Sequence, residues 1–316
     1  MPIAALNIMQ IDGIARLLRD IPDLPDLDYA GALYPPPGAK HALDYFFGTV
    51  LHQYGFWEDD GGRYIGPMFA RIGGERLKGS DFVWKAAART AAGEPDFFNP
   101  DFQAEITPEG LAAAFGDDSG ACPLPIFDSH VTLARGYGRD LLGRGLTPKK
   151  IVDAANASRH PLKTLLLALG EIPGYREDPL RKKALLLALI LDRRPERFLT
   201  VKDPENWAPI VDYHNIRTAL RTGMAEARDD ALRSKLLRRE FVTKEEEGAV
   251  RKKTFDAIVR LLESSGAGVA RIDALFFGAR KTCPEMTRPD CPRCLLETVC
   301  AKKIDLFQPV FRTTYY

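Results

Sequence analysis

The chain has 316 residues, 45% of them hydrophobic and 28% charged, with 44 Lys plus Arg against 43 Asp plus Glu. That length can bury a core as one large domain or two lobes, and the formal net charge of +1 lacks the basic excess of a protein that holds long nucleic acid. No apolar run reaches membrane-spanning length, and Met1–Leu6 carries no basic region followed by an apolar one, so the expectation is a cytoplasmic protein with no membrane contact.

Residues 3–20 set Ile8, Ile11, Ile14, Leu17 and Leu18 at helical spacing, which predicts an amphipathic helix. Pro22, Pro25 and Pro35–Pro37 mark a loop. An aromatic helix is expected over 41–54, carrying Tyr45, Phe46 and Phe47, with Phe56 and Trp57 just beyond its end. Residues 59–62 read as a turn and 64–72 as a short strand or an irregular segment. Ser80 and Asp81 stand where they would cap a helix through Ala92 that carries Trp84. Thr107-Pro108 fits an N-cap with proline in the first turn. Residues 116–125 read as a linker. From there the chain is a succession of helical patterns near 126–143, 147–156, 160–170, 179–193, 208–223, 227–239, 243–264 and 269–278, and Leu165–Leu169 and Leu185–Leu191 are apolar nearly all round, as in central helices. The predicted fold class is all-α, with an aromatic-rich lobe over 1–120, a helical lobe over 121–280 and a cysteine loop over 281–303.

Four of the five cysteines, Cys283, Cys291, Cys294 and Cys300, follow the spacing C-x7-C-x2-C-x5-C. Thiolates gathered this closely suit a [4Fe–4S] cluster or tetrahedral zinc. Zinc ribbons usually use two distant C-x2-C knuckles, whereas one knuckle in one compact loop favours the cluster. Cys122 lies too far away in sequence to join the set. The loop is locally basic: Ala279–Lys303 holds six Lys or Arg against three Asp or Glu, either a solvated face or a phosphate contact. His41, His52, His130 and His160 are isolated, with core or surface roles as the default.

Working back from the cysteines, Ile210-Val211-Asp212-Tyr213-His214-Asn215-Ile216-Arg217 places Asp212 at a predicted helix start. Free amides and the helix dipole stabilise a carboxylate there, whether it is a plain N-cap or a catalytic group. Upstream lies Ile172-Pro-Gly174, then Arg181-Lys182-Lys183-Ala184. This order (glycine turn, basic helix start, aspartate, four cysteines) resembles the endonuclease III-like DNA glycosylases over residues 160–302. The resemblance implies a helix–hairpin–helix glycosylase fold with a helical N-terminal extension, an iron–sulfur loop, Asp212 as catalytic carboxylate and Lys182 at the Schiff-base position of the members that also cleave the strand. In that family the hairpin reads G-x-G. Here Gly174 is followed by Tyr-Arg-Glu-Asp-Pro, and Glu177 and Asp178 sit where an anion would bind, which argues against duplex DNA.

A second resemblance covers residues 40–265. Tyr54-Gly-Phe56-Trp57, Tyr64-Ile-Gly66, Ala86–Pro95, Lys182-Lys-Ala184, Asp212-Tyr213, Leu220-Arg221-Thr-Gly223 and Glu247–Ala257 keep the order of motifs in the queuosine salvage proteins, which are nucleoside N-glycosidases. His214–Arg217 departs from that family's pattern, and the cysteine loop is not usual in it. The resemblance implies hydrolysis of the base–ribose bond of a queuosine-type 7-deazaguanine nucleoside or 5′-monophosphate. The chemistry asks for a fixed carboxylate beside an oxocarbenium-like transition state, which is Asp212. It also asks for rings around the base, with Phe56, Trp57, Tyr64 and Trp84 as candidates. Tyr213, His214 and Arg217 complete the expected substrate contacts, with Arg217 available to a phosphate or to Asp212. Two other readings are a DNA glycosylase with lyase activity through Lys182 and a non-catalytic iron–sulfur protein that binds nucleic acid.

Overall fold

A computed structural model describes residues 2–22 and 27–316 of the chain; Pro25, expected in a loop, lies outside them. Thirteen α-helices among the described residues take up 50% of the structure, with six short strands between them. This mostly helical build is compatible with the predicted all-α class. Among the described residues no helix is long and apolar enough to cross a membrane.

The chain forms two compact units, each assembled from separated stretches. The first comprises Met1–Asp26, Glu58–Gly66 and Ala208–Arg312; the second comprises Leu27–Trp57, Pro67–Trp207 and Thr313–Tyr316. Residues 1–120 therefore contribute to both units, as do residues 121–280.

In the first unit the helix predicted from residue 3 begins later. Ala4–Leu6 is instead a strand, paired antiparallel with Ala225–Ala227, and Asn7 then caps the helix Ile8–Asp20 through the amide of Gln10. Ile11, Ile14 and Leu18 are buried, as their spacing requires, while Ile8 is exposed. The helix Lys244–Ser265 starts with a reciprocal box between Thr243 and Glu246 and ends at Gly266, whose φ of +71° is the left-handed value that glycine adopts without strain. Between these elements lies the short, wholly buried helix Tyr213–Thr222.

The second unit is built on the aromatic helix Ala42–Val50, in which Tyr45, Phe46 and Phe47 are fully buried. The predicted cap at Thr107 is present: its hydroxyl accepts from the amide of Gly110, and Pro108 opens the helix. The predicted cap at Ser80 or Asp81 is not. That helix starts two or three residues earlier, at Gly79, and the Ser80 hydroxyl donates to Gln53 Oε1 at 2.7 Å. Residues 69–78, read only in part as strand, form a hairpin of Phe69–Ile72 with Glu75–Lys78, turned at Gly73 and Gly74, both at positive φ. Such a Gly-Gly turn is a strong hairpin signal. Gly138 lets the helix Phe127–Gly143 approach Pro100–Ala104 so closely that an added Cβ would lie 2.2 Å from the amide nitrogen of Ala104.

Candidate active site

Asp212 is the N-cap of Tyr213–Thr222. Its Oδ1 accepts from the amides of His214 and Asn215 at 2.8 and 3.0 Å, and Asn215 Oδ1 accepts in return from the Asp212 amide at 3.1 Å. This reciprocal box fixes the carboxylate against the positive end of the helix. The side chain is half-buried, and among the described residues Oδ2 takes no hydrogen bond. Arg251, itself buried, donates to the carbonyl of Val211 and holds the approach to the cap from the long helix.

Behind Asp212 the same helix carries a buried polar network. Arg217 donates to His214 Nδ1 at 2.9 Å and to Gln308 Oε1 at 2.8 Å. A guanidinium can only donate, so His214 Nδ1 is the acceptor and its ring proton sits on Nε2. Glu285 closes the network: it accepts a hydrogen bond from the hydroxyl of Tyr64 and lies 3.6 Å from Arg217 and 3.5 Å from His214. Burial, and after it the Glu285 carboxylate, holds the Tyr64 phenol far above its usual pKa, so it remains a donor. Burial does the same to Tyr213, whose ring packs on His214. Four predicted contact residues, Tyr64, Tyr213, His214 and Arg217, thus belong to one cluster with Asp212 in one unit. Glu285 and Gln308 carry no motif in the sequence, and Arg251 falls inside the Glu247–Ala257 stretch without a mark of its own.

The other end of this helix meets the cysteines. Arg221 donates to Cys283 Sγ at 3.2 Å and to the carbonyls of Pro284 and Leu306. The amides of Ala301 and Lys303 donate to the last carbonyls of the helix, Thr222 and Arg221, and the Lys302 amide donates to Cys300 Sγ at 3.3 Å. Gly223 ends the helix at φ +82°, and an added Cβ would lie 2.8 Å from that of Ala301. Burial raises the Cys300 thiol, and Cys294, Cys283 and Cys291 all add to the effect, so the four sulfurs feel one another. Two of the four sulfurs have N–H donors, Cys283 from the Arg221 guanidinium and Cys300 from the Lys302 amide. Among the described residues, no three Cys, His, Asp or Glu side chains are gathered as ligands of a single ion.

The remaining predicted residues belong to the second unit. Lys182 Nζ donates to the carbonyl of Gln53 at 2.9 Å and its amide to Asp178 Oδ2 at 2.8 Å; Lys183 Nζ reaches the carbonyl of Leu51 at 3.3 Å. Both ammonium groups thus serve carbonyls that follow the C-terminal end of the Ala42–Val50 helix. Burial brings Lys183 down to about 7. Phe56 and Trp57 are buried, and Gly79 is so close to Phe56 that an added Cβ would lie 2.8 Å from it. Trp84 sits in an aromatic core with its ring 5.4 Å from Tyr34, 6.0 Å from Tyr45 and 6.1 Å from Phe46. At the glycine turn the Gly174 amide donates to Glu177 Oε2 at 2.8 Å, and the amides of Leu180 and Lys182 donate to Asp178. Gly174 itself is needed for close approach: at φ +94°, an added Cβ would lie 2.4 Å from Leu51 Cδ2.

No protein-family model matches this chain, and no curated protein sequence matches it.

Proposed function

We propose that this chain is an N-glycosidase that hydrolyses the base–ribose bond of a modified nucleoside or its 5′-monophosphate, with a queuosine-type 7-deazaguanine as the base. One observation carries the reading: Asp212 is held by two amides on Oδ1 while Oδ2 stays open. A carboxylate oriented in this way needs no reorganisation to stabilise positive charge growing on the anomeric carbon, or to orient the water that attacks it. Tyr213 and His214 stand next to it, and the Arg217–Glu285 pair supplies balanced charge behind the helix. On the same reading the helical body is of the helix–hairpin–helix glycosylase type.

Duplex DNA is disfavoured as substrate. The amides around Gly174 that would grip a backbone phosphate already serve Glu177 and Asp178, whose negative charge would also repel it. Lys182 is proposed as a positioning residue of the second unit, since its amine serves the Gln53 carbonyl. Cys283, Cys291, Cys294 and Cys300 would hold a [4Fe–4S] cluster, or zinc in the alternative. When bound, the group would cross-link the loop to itself at four points, and the loop is tied to the last turn of the Asp212 helix by the hydrogen bonds of Arg221 and Thr222.

The test is a screen of nucleosides and 5′-monophosphates for released base, repeated with Asp212→Asn. Asparagine caps a helix as well as aspartate does, so the variant keeps the fold within about 0.5 kcal/mol. Loss of the charge lowers turnover by about a thousandfold, roughly 4 kcal/mol of transition-state stabilisation. Base release at the wild-type rate in Asp212→Asn would sink the assignment. Iron content and visible absorbance of the purified protein decide between cluster and zinc.

A further inference from the structure

An open cleft of about 550 Å³ lies in the first unit, at the C-terminal end of the Asp212 helix, and three guanidinium groups, Arg221, Arg239 and Arg288, line it. Its volume falls in the range of small-ligand sites. Arg221 is buried and immobilised by the carbonyls of Leu306 and Pro284 and by Cys283 Sγ, so one positive charge, shared with that sulfur, is built into the wall. Arg239 and Arg288 are different. Nearby basic groups are answered by carboxylates: Arg238 by Glu240, Arg228 by Glu226, Lys235 by Glu246. Among the described residues the Arg239 side chain meets the sulfur of Met286 and the ring of Phe307, and Arg288 has no hydrogen bond or ion pair. Two acidic groups also line the cleft. Glu285 is already answered by Tyr64 and Arg217, which leaves the exposed Asp305 as the one carboxylate in the lining whose charge is not offset by these contacts.

The backbone at Arg239 points the same way. Arg239 ends the helix Asp230–Arg238 with φ +58° and ψ +33°, a left-handed C-cap where glycine or asparagine is the unstrained choice. This left-handed cap leaves the Arg239 guanidinium in the cleft wall.

We propose that this cleft binds a phosphate group, with Arg239 and Arg288 closing on the phosphoryl oxygens against the fixed charge of Arg221. Guanidinium forks match phosphate geometry, and like-charged forks left without carboxylates are stabilised by a bound anion. Arg221 is nine residues along the helix from Asp212, roughly 14 Å of helix axis. The arginines are therefore set off from Asp212 along the helix, although Glu285 belongs both to the cleft lining and to the network behind Asp212. The phosphoryl group has two possible sources, a small phosphomonoester or the backbone of a single-stranded nucleic acid. The proposal involves no catalytic step, so it stands or falls separately from the base-release assignment.

The test is calorimetric titration of the full-length protein at constant ionic strength in chloride. The ligands are inorganic phosphate, guanosine 5′-monophosphate, guanosine, and a single-stranded oligonucleotide without terminal phosphates. Phosphate and the monophosphate should bind, with guanosine at least tenfold weaker than its monophosphate. Arg288→Gln, in the exposed loop, should weaken phosphate binding severalfold. Arg239→Gly should weaken it at least tenfold while leaving Tm unchanged or higher, because it relieves the positive φ. Displacement of phosphate by the oligonucleotide would assign the group to a nucleic-acid backbone, and displacement by the monophosphate alone would assign it to a small phosphomonoester. Equal binding of guanosine and its monophosphate, no detectable phosphate binding, or phosphate affinity unchanged in both arginine variants would each overturn the proposal.

Discussion

The two units each bury a polar cluster, and the clusters are finished differently. In the first unit, none of Tyr64, His214, Arg217, Glu285 and Gln308 leaves a buried nitrogen or oxygen without a hydrogen-bond partner among the described residues. In the second, His52 and His130 share a 3.0 Å contact between their Nδ1 atoms, while both Nε2 atoms, Gln53 Nε2 and the Tyr54 hydroxyl are buried without a partner. A proton between the two Nδ1 atoms requires opposite tautomers, which leaves one Nε2 as an orphaned donor and the other as an orphaned acceptor. The satisfied cluster orients charge beside an open carboxylate. The unsatisfied one loses free energy to desolvation, which resists protonation of its rings in the folded state.

The largest effect that would break this contrast belongs to Glu285. Glu285→Ala strands the buried Arg217 guanidinium and should cost about 3–5 kcal/mol in urea unfolding, with Glu285→Gln milder because it still accepts from Tyr64. A neutral Glu285→Ala would mean that the network is not held by charge balance. Next comes pH. Burial lowers His52 from 6.5 to about 3 and holds His130 well below its usual value. Below pH 6.5 the unfolded chain therefore binds more protons than the folded one, and stability should fall with falling pH by about 1.4 kcal/mol per unit for each ring. Lys183 acts in the same sense at higher pH. Its folded value of about 7 lies under 10.5, so stability rises as pH climbs between them. Asp44, raised by burial from 3.8 to about 6, opposes the histidines over that interval. Unfolding midpoints measured from pH 5 to 9 should climb throughout; a flat profile would show that the rings reach solvent. The smallest and sharpest comparison is one substitution made twice. Tyr64→Phe removes a donor from a buried carboxylate and should cost about 1–3 kcal/mol, whereas Tyr54→Phe removes an orphaned hydroxyl and should be neutral or slightly stabilising.

What could be read beforehand was local. The cap at Thr107 is written in two adjacent residues, the helix start at Asp212 in a run of eight, and the buried stripe Ile11, Ile14, Leu18 in its spacing. The Gly73-Gly74 hairpin was equally local and went unread, because the aromatic and charged residues around it drew a strand-or-loop reading instead. Glu285 was beyond reach: it sits inside the cysteine loop, and its partner Tyr64 is 221 residues away, so nothing in its neighbourhood marks it as buried. The lysines show a subtler limit. Lys182 and Lys183 are adjacent and chemically alike, yet each amine reaches a different carbonyl, and the depressed pKa of Lys183 comes from a burial that its sequence does not announce.

The pairing of Ala4–Leu6 with Ala225–Ala227 also sets a timetable for synthesis. The strand and the Ile8–Asp20 helix are made before the strand they must join, which follows two hundred residues later. The stretch Pro67–Trp207, the bulk of the second unit, is made entirely within that interval. Until it ends, the apolar face formed by Ile11, Ile14 and Leu18 has no native surface to cover. A nascent chain stalled before residue 225 should therefore present that face to holding chaperones, and one released after the Lys303 amide has docked on Arg221 should not.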